Sequence, residues 1–165
     1  MKSLTFNLGD PNLWESLKTL DLKKSVFISP TDTVYGVGTG LGNLDGMSRL
    51  LELKKRDSRR FIVLARNLED VVALTEIKAV HEIIVKRYWP GPITFILPAK
   101  MPQGSTIAVR IPMDPFLTQL MDLLGGPMLS TSCNPPGEPP AKSVEEARQY
   151  FEDQVDFYVD GGTRE

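Results

Sequence analysis

The chain has one cysteine and one histidine in 165 residues. Cys133 alone can form neither an intrachain disulfide nor a cysteine-rich zinc site, and such a sequence fits a reducing cytosol. Long apolar runs are also missing. No segment approaches the roughly 18 uninterrupted apolar residues of a membrane span, and the N-terminus MKSLTFNLGDPNLWESL lacks the basic start and apolar stretch of a signal peptide. The expectation is a cytoplasmic protein with no membrane association. Strong charge of either sign is absent as well: 19 Lys and Arg against 21 Asp and Glu give a formal charge of −2. That balance argues against wholesale wrapping of nucleic acid and leaves only a local basic groove for polyanion contact. No linker, internal repeat or low-complexity tract divides the sequence. Its 24% charged and 41% hydrophobic residues are ordinary for a globular protein, so one domain over 1–165 is expected.

What the chain does have is a cationic cluster. KKRDSRR, from Lys54 to Arg60, packs five cations into seven residues. Two readings compete: an anion site, or a solvated helix end where Lys and Arg are favoured by the helix dipole.

The order of elements gives the cluster a setting. Asp10-Pro11 followed by Leu13, Leu17 and Leu20 predicts a helix over 11–21. Ser25 to Ser29 reads as a buried strand ended by Pro30, and 30–42, with Thr31, Asp32, Thr33, Tyr35 and four glycines, reads as a polar loop open to a ligand. Asn43 caps a helix carrying Leu44, Met47, Leu50 and Leu51 inward and delivering Lys54 to its C-terminal end. A strand over 61–65, a helix from Asn67 through Leu74 and another over 78–88 follow, until Trp89-Pro90-Gly91-Pro92 breaks the pattern. Strands are expected at 93–97 and 106–111. Asp114-Pro115 opens a helix through Leu124, 127–131 is a strand, Ser143 with Glu146 makes a capping box for a helix over 143–152, and 155–159 is a last strand. Alternating strands and helices predict an α/β fold with helices on a twisted open sheet. The two strands at 93–97 and 106–111, with no helix between them, predict that the sheet is mixed.

Four polar segments fall at element ends: Thr31 to Tyr35, Lys54 to Arg60, Thr106 to Arg110 and Ser130 to Asn134. In open α/β sheets such ends meet in a ligand-binding crevice. Hydroxyls and an amide supply neutral hydrogen bonds, and Lys and Arg supply charge-assisted ones, an inventory suited to a nucleotide or phosphorylated ligand. Each hydroxyl taken singly is equally well a cap or turn residue.

Together and in order, PTDTVYG (30–36), KKR (54–56), WPGPIT (89–94), AVRIP (108–112) and STSCN (130–134) resemble the signature blocks of the YrdC-like threonylcarbamoyl-AMP synthase family. The resemblance implies a large concave, electropositive cavity and synthesis of L-threonylcarbamoyladenylate from L-threonine, bicarbonate and ATP, a nucleotidyl transfer with Mg2+ accompanying ATP. Partner proteins would then transfer the threonylcarbamoyl group to tRNA. By the same resemblance Lys54 and Arg56 match a Lys-x-Arg pair at the nucleotide and are the catalytic candidates. Ser132 and Asn134 match a Ser-x-Asn pair there, and Thr106 and Arg60 are further ATP contacts. Thr33, Ser130 and Arg110 fall at threonine-binding positions, Arg110 through the carboxylate. Since family members also bind double-stranded RNA, a non-catalytic RNA- or nucleotide-binding paralogue is the alternative.

The sequence departs from the family at Asp57, beside the cationic pair, at Ala65, where many members place histidine, and at Cys133, read as a small packing residue. His81 reads as surface or packing, and Trp89 as packing at the helix stop. Members typically continue past the equivalent of Asp160-Gly161-Gly162 with a closing segment, whereas this sequence ends at Glu165, so the expected domain lacks it.

Overall fold

A computed structural model describes residues 2–55 and 61–165, and in it strands and helices alternate as the sequence pattern requires. Among the described residues the strands are β1 (Leu4–Asn7), β2 (Val26–Ser29), β3 (Gly36–Gly40), β4 (Ile62–Leu64), β5 (Phe95–Pro98), β6 (Thr106–Arg110), β7 (Met128–Ser132) and β8 (Phe157–Asp160). The helices are α1 (Leu13–Lys18), α2 (Leu44–Lys54), α3 (Leu68–Leu74), α4 (Ala79–Val85), α5 (Pro115–Leu124) and α6 (Val144–Phe151), with a short 3-10 turn at Leu22–Lys24. None is long and apolar enough to cross a membrane.

The strands form one mixed sheet in the order β1-β8-β2-β3-β7-β4-β6-β5. β1 and β2 run parallel to β8, and β4 runs parallel to β6. The remaining pairs, including the expected β5–β6 neighbours, are antiparallel.

Two expectations need correction. The stretch 36–40 is a central strand, not loop: it pairs antiparallel with both β2 and β7. Its alternating glycines hid it because they carry no apolar side chain to mark a period of two. The N-terminal Leu4–Asn7 also forms a strand, at the sheet edge against β8, where long-range pairing outweighs a weak local pattern. Boundaries moved elsewhere. α1 starts at Leu13 rather than 11 because Asp10 Oδ1 accepts from the Asn12 amide in a turn ahead of it, and α4 ends at Val85 before a run of turns.

Local chemistry fixes the helices. Asn43 Oδ1 accepts from the Gly46 amide at 3.0 Å, Asn67 Oδ1 from Asp70 at 3.0 Å, and Asp114 Oδ1 from Phe116 at 2.9 Å. Ser143 caps α6 through the Glu146 amide at 3.2 Å, but the Glu146 carboxylate reaches back to the Lys142 amide at 2.8 Å instead of to Ser143. α2 ends as Lys55 turns left-handed at φ 49°.

Side chains alternate across the sheet, so the two faces have separate cores. One face, with Val26, Ile28, Val37, Val63, Val109 and Leu129, packs with buried residues of α2, α3, α4 and α6. The other, with Phe27, Leu64, Met128, Phe157 and Val159, lies under α1 and α5. α5 contributes Phe116, Leu117, Leu120, Met121 and Leu124, all buried; each such side chain stabilises the fold by about 1.5–3 kcal/mol. α1 and α5 cover only part of this second face, and the rest holds the site.

Candidate functional site

Register shows what the open part presents. Gly38 pairs with Ser130, and Ser130 with Ile62; Ile62 in turn pairs with Ala108. Gly36 pairs with Ser132, and Leu64 with Arg110. Residues paired in this way share a face, so Ser130, Ser132 and Arg110 are turned to the side that α1 and α5 leave exposed. The loop from Pro30 to Tyr35 arches beside them. Thr31 Oγ1 donates to the Val34 carbonyl at 2.5 Å and accepts from the Thr33 amide at 3.1 Å, with the Thr33 hydroxyl 3.0 Å away.

These elements enclose a pocket of about 120 Å3 lined by Thr31, Thr33, Arg110, Ser130 and Ser132. The structure therefore brings together the three residues expected at threonine and one expected at ATP. The floor is glycine for a steric reason: a Cβ at Gly36 would stand 3.1 Å from Ser130 Oγ. The Arg110 side chain is 7% exposed, and its Nη1 donates to Asp32 Oδ1 at 2.5 Å. Asp32 Oδ2 accepts from the Met113 amide at 3.1 Å.

Ile62 also borders a larger cavity of about 870 Å3, lined by Thr106, Ala108, Ile96 and Met101 among others. Thr106 thus faces this second space rather than the hydroxyl pocket. Leu41, Met47, Phe61 and Val63 of the other core also line this larger cavity, and the described lining of the two cavities carries a single cation, Arg110. The cations expected at 56 and 60, Arg56 and Arg60, and Asp57 with them, lie outside the described residues.

Lys54 is not a solvated helix end. It is 2% exposed, and its ammonium donates to the Ser132 carbonyl at 2.8 Å, the Asn134 carbonyl at 2.6 Å and Asn134 Oδ1 at 2.9 Å. Ser132 Oγ donates to the same Oδ1 at 2.6 Å, and Asn134 Nδ2 donates to the Glu138 carbonyl at 2.7 Å. The Lys-x-Arg lysine and the Ser-x-Asn pair are one hydrogen-bonded unit, joining the end of α2 to the end of β7.

Other residues settle into packing or support. Cys133 is fully buried, and burial pushes its thiol up to about 12, against a smaller opposing pull from Lys54; such a group is no nucleophile. His81 Nδ1 accepts from the Lys78 amide at 3.2 Å, a helix-start bond. Trp89 is buried, stacks edge-on against Phe95 and donates to the Ile93 carbonyl at 2.7 Å. Burial raises the pKa of Asp114, with the Leu117 and Phe116 amides opposing. Sequence reasoning missed two site residues. Asp32 pairs with Arg110, and Tyr35 ties the C-terminal segment to the pocket loop: its hydroxyl donates to the Gly162 carbonyl at 2.7 Å and accepts from the Gly161 amide at 3.0 Å. The signal for Asp32 was available, since an acid between two hydroxyls at a strand end needs a cationic partner if it is buried.

A family model for the Sua5/YciO/YrdC domain, described as "Telomere recombination", matches residues 22–165. The chain belongs to the Sua5/YciO/YrdC family. Within that family it is similar to the threonylcarbamoyl-AMP synthase of Marinobacter nauticus, 35% identical over an alignment of 150 residues that covers 85% of this chain and 79% of that protein. Among solved Sua5/YciO/YrdC structures, E. coli YciO superposes with a TM-score of 0.85 at 27% identity, covering 100% of this chain and 86% of that one. P. abyssi Sua5 complexed with L-threonine superposes with a TM-score of 0.85 at 25% identity, covering 99% of this chain and 51% of that one, so the chain spans about half of that protein.

Proposed function

We propose that this chain is an L-threonylcarbamoyladenylate synthase, a nucleotidyltransferase acting on L-threonine, bicarbonate and ATP in the cytoplasm to supply tRNA threonylcarbamoyladenosine modification. The observation that carries the reading is the buried Arg110 in a small hydroxyl-lined pocket. A guanidinium braced by Asp32, among hydroxyls and the apolar Val34, Ile62 and Leu64, suits a carboxylate bearing a short polar side chain. The relationship to synthases, and to a Sua5 crystallised with L-threonine, supports the same ligand.

In this reading the threonine carboxylate meets Arg110, and Thr33 and Ser130 face its hydroxyl and amine. Bicarbonate takes up a proton and loses water to give CO2; the neutral amine adds to its carbon, releasing a proton and giving N-carboxythreonine. A carbamate oxygen then attacks the α-phosphorus of ATP; the new P–O bond forms as the bond to the bridging oxygen breaks, and pyrophosphate leaves. Holding the two reactants in line supplies much of the rate, and hydrogen-bond donors aimed at the phosphates supply the rest. Ser132, Asn134, Thr106, Arg56 and Arg60 are the proposed ATP contacts, and Lys54 shapes the Ser132–Asn134 corner from behind. Mg2+ would arrive with the triphosphate of ATP. Bound there, Mg2+ would neutralise phosphate charge. The product would pass to partner proteins that transfer it to tRNA.

The test is pyrophosphate release by the purified chain. Release that requires both threonine and bicarbonate, and that Arg110→Ala abolishes, is the expected result. Intact ATP binding with no threonine-dependent release would refute the synthase and favour a nucleotide- or RNA-binding protein.

A further inference from the structure

Arg110 has more hydrogen-bonding capacity than its protein partners use. Nη1 donates to Asp32 Oδ1 at 2.5 Å and approaches the Gly91 carbonyl at 3.5 Å. Both of these bonds use Nη1, and Arg110 lines the hydroxyl pocket. Asp32 is held at both oxygens, one by Arg110 and the other by the Met113 amide. With side chains 7% and 12% exposed, neither partner of this ion pair is a loosely tethered surface group.

A guanidinium at the end of a long flexible side chain can present any edge of its fork, and only one edge binds a carboxylate bidentately in a given pocket. We propose that Asp32 is a positioning residue for the amino-acid substrate: it holds Nη1 of Arg110 so that the free N–H groups face the substrate carboxylate. The proposal rests on the hydroxyl pocket being the amino-acid site. It assigns Asp32 a function in that site without requiring it to touch the reacting atoms.

Asp32→Asn is the direct test, because an amide has one acceptor oxygen where the carboxylate has two. It can serve Arg110 or the Met113 amide, but not both. Calorimetry should show L-threonine binding weakened about tenfold or more, the scale of one misaligned charge-assisted contact, with ATP affinity unchanged. The KM for threonine should rise by a similar factor while kcat stays within about twofold. Unchanged or tighter threonine binding would overturn the proposal, the latter by showing that Asp32 competes with substrate for Arg110. A second measurement uses the unaltered protein: Arg110 side-chain N–H signals in 15N NMR, assigned by their loss in Arg110→Lys. Separate Nη signals, reporting hindered rotation, are expected. A freely rotating guanidinium would overturn the proposal even if Asp32→Asn failed to fold. If the unaltered protein binds no threonine but Arg110 is held, the amino-acid reading fails while the Asp32 restraint stands.

Discussion

Replacing Lys54 by Met separates a structural lysine from a surface charge. Methionine keeps most of the aliphatic stem that packs at the end of α2 and removes only the ammonium. The backbone carbonyls of Ser132 and Asn134, now 2.8 and 2.6 Å from Nζ, then lose that donor, while Asn134 Oδ1 still accepts from Ser132 Oγ. An acceptor left unmatched inside a protein costs about 1–3 kcal/mol. The Ser132 carbonyl still accepts from the Asn134 amide at 3.0 Å, so the Asn134 carbonyl is the one left unmatched, and the loss is about 1–3 kcal/mol. That is a large share of the 5–15 kcal/mol typical of a domain, yet compatible with folding. With a urea slope of about 1–3 kcal/mol per M, the unfolding midpoint should fall by about 0.5–1.5 M. The assay is equilibrium unfolding followed by the fluorescence of Trp14 and Trp89. The folded variant should also bind ATP at least about tenfold more weakly, because Ser132 and Asn134 are no longer held. If the midpoint stays within about 0.3 M of the unaltered protein and ATP affinity is unchanged, Lys54 is a replaceable surface charge and the account of this corner is wrong.

Two further outcomes follow from the same coordinates. Gly38→Ala should destabilise by about 1 kcal/mol, because its Cβ would stand 3.1 Å from the Phe27 ring and 3.2 Å from the Leu129 carbonyl, while the Met128 Cε at 2.5 Å can swing aside; a melting temperature lower by a few degrees checks this, and an unchanged one refutes it. Cys133, with its thiol pushed up to about 12, should resist alkylation in the native protein at pH 8 and react once urea unfolds the chain; mass spectrometry of iodoacetamide-treated samples reads this directly.

The helices were legible from local chemistry. Asn43, Asn67, Asp114 and Ser143 were each visible as caps, and each caps the expected helix. Strands with apolar side chains were legible for the same kind of reason, except the edge strand β1, which long-range pairing with β8 specifies. β3 was not legible either, since an element with Gly36, Gly38 and Gly40 along the face shared with Ser130 and Ser132 carries no alternating hydrophobic signal and is specified by its neighbours. In the site, motif blocks located Thr33, Arg110, Ser130 and Ser132 correctly as neighbours. They did not distinguish a side chain that lines a pocket from one that braces it. Lys54 was read as facing a ligand, and its three bonds to the Ser132–Asn134 loop depend on burial that no spacing reveals.

The site occupies this part of the sheet because the covering layer stops short of it. Along β7, Met128 lies beneath α5 in the core with Leu120 and Leu124, and steps of two residues along the same face lead to Ser130 and Ser132 in the open pocket. On β6 the open-face positions run Thr106, Ala108 and Arg110, small or polar where a covered strand would carry large apolar groups. On β3 the same face is all glycine, and a Cβ at Gly36 would crowd Ser130 Oγ at 3.1 Å and Thr31 Cγ2 at 3.4 Å. One strand face thus changes from apolar to polar at the boundary of the helical layer. A continuous apolar face would have drawn a further helix or a partner chain over it, whereas hydroxyls, a braced arginine and bare backbone leave a hydrated concavity whose polar groups need a ligand with matching donors and acceptors.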